Sequence, residues 1–176
     1  MATQEMIFAG SGGQGTLSMG KFLAYAGMDS DMNVSWLPSY GPEMRGGTAN
    51  CAVILSDEPV GSPIVSKPGT LVVMNRPSLD KFEDSVAKGG ILIMDSDLVD
   101  RMPTRDDIEV ISIPAQTEAA NIGSKQIANM VLLGALVKKT GIVSMEMILT
   151  SLKDHGKEKF FEINKMALER GASYIK

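Results

Sequence analysis

Short apolar runs recur along the chain, each followed by a polar or glycine-containing break and, in several cases, by helical spacing. Met6-Ile7-Phe8-Ala9, Ala49 to Leu55, Thr70 to Met74, Gly90 to Asp95 and Ile108 to Pro114 read as strands. Because they are apolar throughout rather than alternating, they predict strands covered on both faces. Asn33 to Leu37 reads as a further strand, the second in chain order. Helical spacing follows the first run from Thr16 to about Gly27, and Ser78 is placed to cap a helix that continues to about Lys88. The last third is helical. Ile127, Met130, Val131, Gly134 and Val137 share one helical face, with Gly134 small enough for close packing on the sheet, and Ser144 to Asp154 and Glu158 to Arg170 follow as amphipathic helices. This alternation predicts one α/β domain over residues 1–176: a three-layer Rossmann-like fold with a mainly parallel sheet and a helical C-terminal third.

Two glycine-rich segments interrupt the pattern. Gly10, Gly12, Gly13, Gln14 and Gly15 lie between the first strand and the first helix and satisfy G-x-G-x-x-G, so the free N–H groups of the helix start can receive a phosphate. The sharper forms of this motif do not fit. A dinucleotide site needs an acidic residue at the end of the second strand, where Pro38-Ser39 stands. A P-loop needs a hydroxyl after its lysine, where Phe22 follows Lys21, and that lysine falls inside the helix. The alternative is a tight strand-to-helix turn without a ligand. The second segment, Pro38 to Thr48, is too rich in Gly and Pro for a helix or strand, and it contains a carboxylate, Glu43, and a guanidinium, Arg45. Arg45 offers a planar fork suited to phosphate or carboxylate, and Ser39, Gly41, Gly46, Gly47 and Thr48 frame it. A surface ion pair between Glu43 and Arg45 is the plainer alternative. Both segments are expected at the carboxyl ends of strands, on one rim of the sheet.

Composition narrows the chemistry. A net charge of −4 without long charged blocks gives no nucleic-acid footprint. No apolar run is long enough to span a bilayer, and the N-terminus has no secretory pattern, so a cytoplasmic location is expected. One cysteine excludes an intrachain disulfide, an iron–sulfur cage and a cysteine-based zinc site, and Cys51 itself reads as a small buried hydrophobe. His155, the single histidine, reads as a solvated turn residue, and the 13 methionines as gap-fillers.

The runs Phe8-Ala9-Gly10-x-Gly12-Gly13-Gln14-Gly15, Pro38-Ser39-Tyr40-Gly41-Pro42-Glu43-Met44-Arg45-Gly46-Gly47-Thr48-Ala49, Gly61-Ser62-Pro63, Asn75-x-Pro77-Ser78-Leu79-Asp80-Lys81-Phe82 and Ala128-Asn129-Met130-Val131 resemble the gamma subunit of 2-oxoacid:ferredoxin oxidoreductases. The pattern is most similar to the 2-oxoglutarate enzymes, and 2-oxoisovalerate and pyruvate enzymes share its motifs. The resemblance implies a hetero-oligomer that oxidatively decarboxylates a 2-oxoacid on thiamine diphosphate, passes electrons through iron–sulfur clusters to ferredoxin, and releases an acyl-CoA. Thiamine diphosphate, Mg and the clusters are expected on thiamine-binding and ferredoxin-like partner subunits. This chain lacks a G-D-G motif with its distant Asn and has only Cys51. In single-chain relatives the equivalent domain is associated with coenzyme A binding and with closure over the active site. That points to Gly10 to Gly15 and Ser39 to Thr48 as the coenzyme A surface, with Arg45 as charged anchor and no catalytic or metal residue. The resemblance further implies that Pro38, Tyr40, Pro42 and Met44 face partner subunits, and that the chain alone is inactive and self-associates. A non-catalytic scaffold that docks the thiamine-binding chains, and a stand-alone nucleotide-binding oxidoreductase, are the competing readings.

Overall fold

The computed structural model describes residues 3–40 and 48–176. Its centre is a six-stranded sheet built from β1 (Gln4–Ser11), β2 (Asn33–Tyr40), β3 (Thr48–Ser56), β4 (Thr70–Val73), β5 (Ile91–Asp95) and β6 (Glu109–Ile113), in the order β2-β3-β1-β4-β5-β6. β1, β4, β5 and β6 run parallel, while β3 lies antiparallel between β2 and β1. The sheet is therefore mixed, with its parallel majority on one side.

Both faces of β1, β4 and β5 are covered, which is why these strands carry no polar alternation; on β2 Trp36, Leu37 and Ser39 are exposed, and β3 is half-buried at Asn50 and Ala52. Met6 and Phe8 of β1 face one core, with Val72 of β4 and Ile93 of β5. Ile7 and Ala9 face the other, with Leu71, Val73, Leu92 and Met94. The first core is covered by α1 (Thr16–Asp29), α3 (Ala115–Ile122), α4 (Ala128–Thr140), α5 (Met145–His155) and α6 (Phe161–Ala172); α2 (Arg76–Phe82) covers the second. The result is the expected three-layer α/β architecture. α1 lies close on β3 through two glycines: a Cβ on Gly20 would come within 2.5 Å of Cys51 Sγ, and one on Gly27 within 2.6 Å of a Leu55 methyl.

Several local expectations change. β2 continues through Pro38 and Ser39 to Tyr40, so the Gly/Pro segment is shorter at both ends than its composition suggests. Proline is tolerated there because β2 is an edge strand, bonded only to β3. α2 is capped by Asn75, whose side-chain oxygen accepts the Ser78 N–H at 3.0 Å, while Ser78 itself is buried; the helix stops at Phe82. Gly134 packs on α6, not on the sheet: a side chain there would collide with the Leu168 carbonyl, and one on Gly171 with that of Val131. α3 is a helix that the apolar pattern does not announce, being AQTEAANI with Ala115 and Ala119 buried. His155 ends α5 and stacks on Tyr25, with ring centroids 3.7 Å apart and 9° between planes.

Glu83, nearly buried after α2, ties the following connection down. It pairs with Arg101 at 2.7 Å and accepts hydrogen bonds from the N–H and hydroxyl of Thr104. Arg101 also reaches Asp80 at 2.7 Å.

Candidate functional site

The turn from β1 into α1 is built by its own side chains. Gln14 folds back so that its oxygen accepts the Ser11 N–H at 2.6 Å and its amide donates to the Met74 carbonyl at 3.2 Å. Asn75 donates to Ser11 Oγ at 2.6 Å while capping α2, so the ends of β1 and β4 are held together at the rim. Gly10 is buried inside β1, where a Cβ would meet Gln14 Oε1 and Thr16 Oγ1 at 2.7 Å. Gly10 and Gln14 thus shape the turn, and neither lines the groove at the start of α1. Gly15 has φ +76 and its carbonyl accepts from Asn129 Nδ2 at 3.1 Å, which anchors the start of α1 to α4.

The start of α1 is left bare. No side chain caps it and its first turn contains no acidic residue, so its N–H groups and the helix dipole favour an anion there. It opens on a groove of about 320 Å³ lined by Ser11, Gly12, Gly13, Gly15, Thr16, Leu17, Ser18, Thr48 and Ala49. Gly13, at φ +88, has nothing within 4 Å of where a Cβ would stand, so its backbone is open to the groove.

The sheet register brings the second segment to this rim. Ser11 pairs with Thr48, and Ala49 pairs with Tyr40, so the end of β2 and the start of β3 lie beside the glycine turn. Thr48 lines the groove and Ser39 is exposed at the end of β2. Gly41, Pro42, Glu43, Met44, Arg45, Gly46 and Gly47 lie outside the described residues, as does the side chain of Tyr40. Pro38 is half-buried on β2, next to the exposed Trp36 and Leu37.

Sequence reasoning missed a second groove that shares Gly13, Gly15 and Ser18 with the first and extends between α4 and the α5–α6 junction, with a volume of about 550 Å³. Its signal was faint, because its residues come from three stretches of chain far apart in sequence. Among the described residues, no cluster of His, Cys, Asp and Glu is arranged to hold a metal, and no helix is long and apolar enough to cross a membrane. Cys51 is fully buried, donates to the Thr16 carbonyl at 3.8 Å, and has its thiol pushed up to about 12 by burial. Asp95, at the end of β5, is fully buried and accepts N–H bonds from Asp97 and Ala115. Burial raises its pKa, and it lines neither groove.

Comparison with known proteins agrees with this architecture. The chain is 41% identical to the ketoisovalerate oxidoreductase subunit VorA of Methanothermobacter thermautotrophicus over 96% of its length, but spans only 35% of that protein. It is 35% identical to the 2-oxoglutarate synthase subunit KorC of Methanocaldococcus jannaschii, covering 98% of this chain and 94% of the relative. The keto/oxoacid ferredoxin oxidoreductase gamma subunit of Geobacter sulfurreducens superposes with a TM-score of 0.85 at 31% identity, covering 97% of each chain. The 2-oxoglutarate:ferredoxin oxidoreductase of Magnetococcus marinus, solved with 2-oxoglutarate, coenzyme A and succinyl-CoA bound, shares the fold at TM-score 0.89 and 23% identity, with 99% of this chain and 31% of that one covered. Residues 5–174, nearly the whole chain, match the pyruvate ferredoxin/flavodoxin oxidoreductase profile, and the chain belongs to that family.

Proposed function

We propose that this chain is the gamma-type subunit of a multi-subunit 2-oxoacid:ferredoxin oxidoreductase and that it holds the phosphates of coenzyme A. The observation that carries the reading is the uncapped, acid-free start of α1, opening through Gly12, Gly13 and Gly15 onto a groove that Thr48 closes on the other side. An anion there meets free N–H groups and the hydroxyls of Ser11, Ser18 and Thr48, and no carboxylate lines the groove. Arg45 stands three residues before Thr48 in the sequence and supplies the charged fork. The part played by this chain is to bind and orient coenzyme A and to exclude water as it closes over a partner's active site. Oxidative decarboxylation of the 2-oxoacid on thiamine diphosphate, and electron transfer through iron–sulfur clusters to ferredoxin, belong to the partner subunits. The substrate assigned from the motif pattern is 2-oxoglutarate; the 41% identity to a ketoisovalerate subunit makes 2-oxoisovalerate the second substrate to assay.

The test is omission. The partner subunits are reconstituted with and without this chain, and acyl-CoA formation is followed with each 2-oxoacid. Production that depends on the chain is expected, with 2-oxoglutarate preferred. Equal rates without it contradict the assignment, and a preference for 2-oxoisovalerate corrects the substrate.

A further inference from the structure

Asn75 stands at the junction of β4 and α2, lines neither groove, and bonds through its side chain in two directions. One partner is the backbone N–H of Ser78, a group that can only donate, so the atom facing it at 3.0 Å is the amide oxygen Oδ1. That contact fixes which way the amide points. Nδ2, which can only donate, is thereby turned toward Ser11 Oγ at 2.6 Å, and the Ser11 hydroxyl has to accept. A hydroxyl carries one hydrogen, and among the described residues no acceptor takes the one on Ser11. Ser11 lines the first groove, so this hydrogen is available to an acceptor there.

A serine hydroxyl ordinarily rotates and meets a ligand as donor or acceptor. With an amide N–H on its acceptor side, Ser11 meets one as a donor, in line with the uncapped N–H groups at the start of α1. Resting on the reading of a coenzyme A phosphate at the glycine turn, we propose that Asn75 is a positioning residue for coenzyme A: without lining the groove, it holds the Ser11 hydroxyl as a hydrogen-bond donor to the ligand. The hydroxyl is oriented when the chain folds, so less of that ordering is left to binding. Capping alone does not require an asparagine. Aspartate caps a helix equally well but has no hydrogen to give Ser11, and it would instead draw the Ser11 hydrogen away from the groove.

The assembled complex is prepared with wild-type chain, Asn75→Asp, Asn75→Ser, Ser11→Ala, the combined Ser11→Ala and Asn75→Asp variant, or Arg45→Ala, and the KM for coenzyme A is measured in acyl-CoA formation. Because Asp and Ser cap helices about as well as Asn, urea midpoints of the full chain and the native mass of the complex should stay at wild type for both. Asn75→Asp should raise the KM about 10-fold or more, the effect of losing a hydrogen bond to a charged group, with kcat near wild type. Asn75→Ser should fall between Asn and Asp. Ser11→Ala should also raise the KM, and in that background Asn75→Asp should change it by no more than about twofold. An unchanged KM in Asn75→Asp, a KM that rises only where the urea midpoint falls, or the same multiple with and without the Ser11 hydroxyl overturns the inference; the last would mean that the new charge acts on the ligand directly. Should Asn75→Asp not assemble, Asn75→Ser carries the same comparison. If Arg45→Ala raises the KM under any of the overturning results, the glycine-turn reading survives; if Arg45→Ala is silent too, both fail.

Discussion

Gly15 and Asn129 form a two-residue latch between α1 and α4, and a double-mutant cycle on them tests whether the glycine turn is held by that latch. Gly15→Ala places a Cβ in a residue with φ +76 and drives it into the Asn129 amide, with Cγ only 2.9 Å away. The left-handed backbone alone costs about 1–2 kcal/mol, and the collision about 1–3 kcal/mol more. Asn129→Ala instead removes the amide that donates to the Gly15 carbonyl, at a cost of about 1–2 kcal/mol. In the double variant the alanine at 129 frees the space that the new Cβ needs, so the collision disappears and the hydrogen bond is lost only once. The double variant should therefore be more stable than the sum of the singles by about 1–3 kcal/mol, and urea unfolding of the full chain measures all four corners. Additivity within about 0.5 kcal/mol would show that the two residues do not oppose each other across this contact.

Three further outcomes follow from the packing and the charges. Gly171→Ala should destabilise by about 3 kcal/mol or more, because the new methyl overlaps the Val131 carbonyl where α6 crosses α4; a shift in the urea midpoint of under a tenth of the wild-type value would refute that. Burial acts to raise the pKa of Glu83, but hydrogen bonds from Arg101 and Thr104 outweigh it and the net shift is downward from 4.5. The stability it contributes is thus present above the unfolded value and lost as pH falls through the lower folded value; Glu83→Gln should cost about 2 kcal/mol at pH 7 and flatten the acid limb of a stability–pH curve. The Cys51 thiol, fully buried and raised to about 12, should resist iodoacetamide at pH 8 in the folded chain and react at once in urea, and rapid native labelling would place it elsewhere.

Much of the fold was legible because the signals were redundant. The apolar runs, the glycine turn and the apolar helical stretch ending at Val137 each point to the same α/β layout. What escaped were features that depend on neighbours in space. β2 runs through Pro38 because it is an edge strand, and edge position is a property of strand order. β3 is antiparallel although its apolar run reads like that of a parallel strand; Cys51, Val53 and Leu55 join the first core, while Asn50 and Ala52 on its other face are only half-buried. α3 escaped because its core contacts are alanines, too small to mark a face. At the site, composition identified Gly12, Gly13, Gly15 and Thr48, all of which line the first groove. It did not separate them from Gly10, packed close against Gln14 and Thr16, or from Gln14, whose task of tying the turn to Met74 is set by a residue 60 positions away. The latch from Asn129 comes from further still.

The most direct test of coenzyme A phosphates at this rim is steady-state kinetics of the assembled complex carrying Arg45→Ala, with assembly checked by native mass measurement. Loss of one charge-assisted hydrogen bond, about 1.5–3 kcal/mol, should raise the KM for coenzyme A roughly 10- to 150-fold. The rate at saturating coenzyme A should stay near wild type, and Arg45→Lys should recover only part of the loss. An unchanged KM in a fully assembled complex, or a rate depressed equally at every coenzyme A concentration together with weakened assembly, would contradict the phosphate role; the second result would make this segment a docking surface.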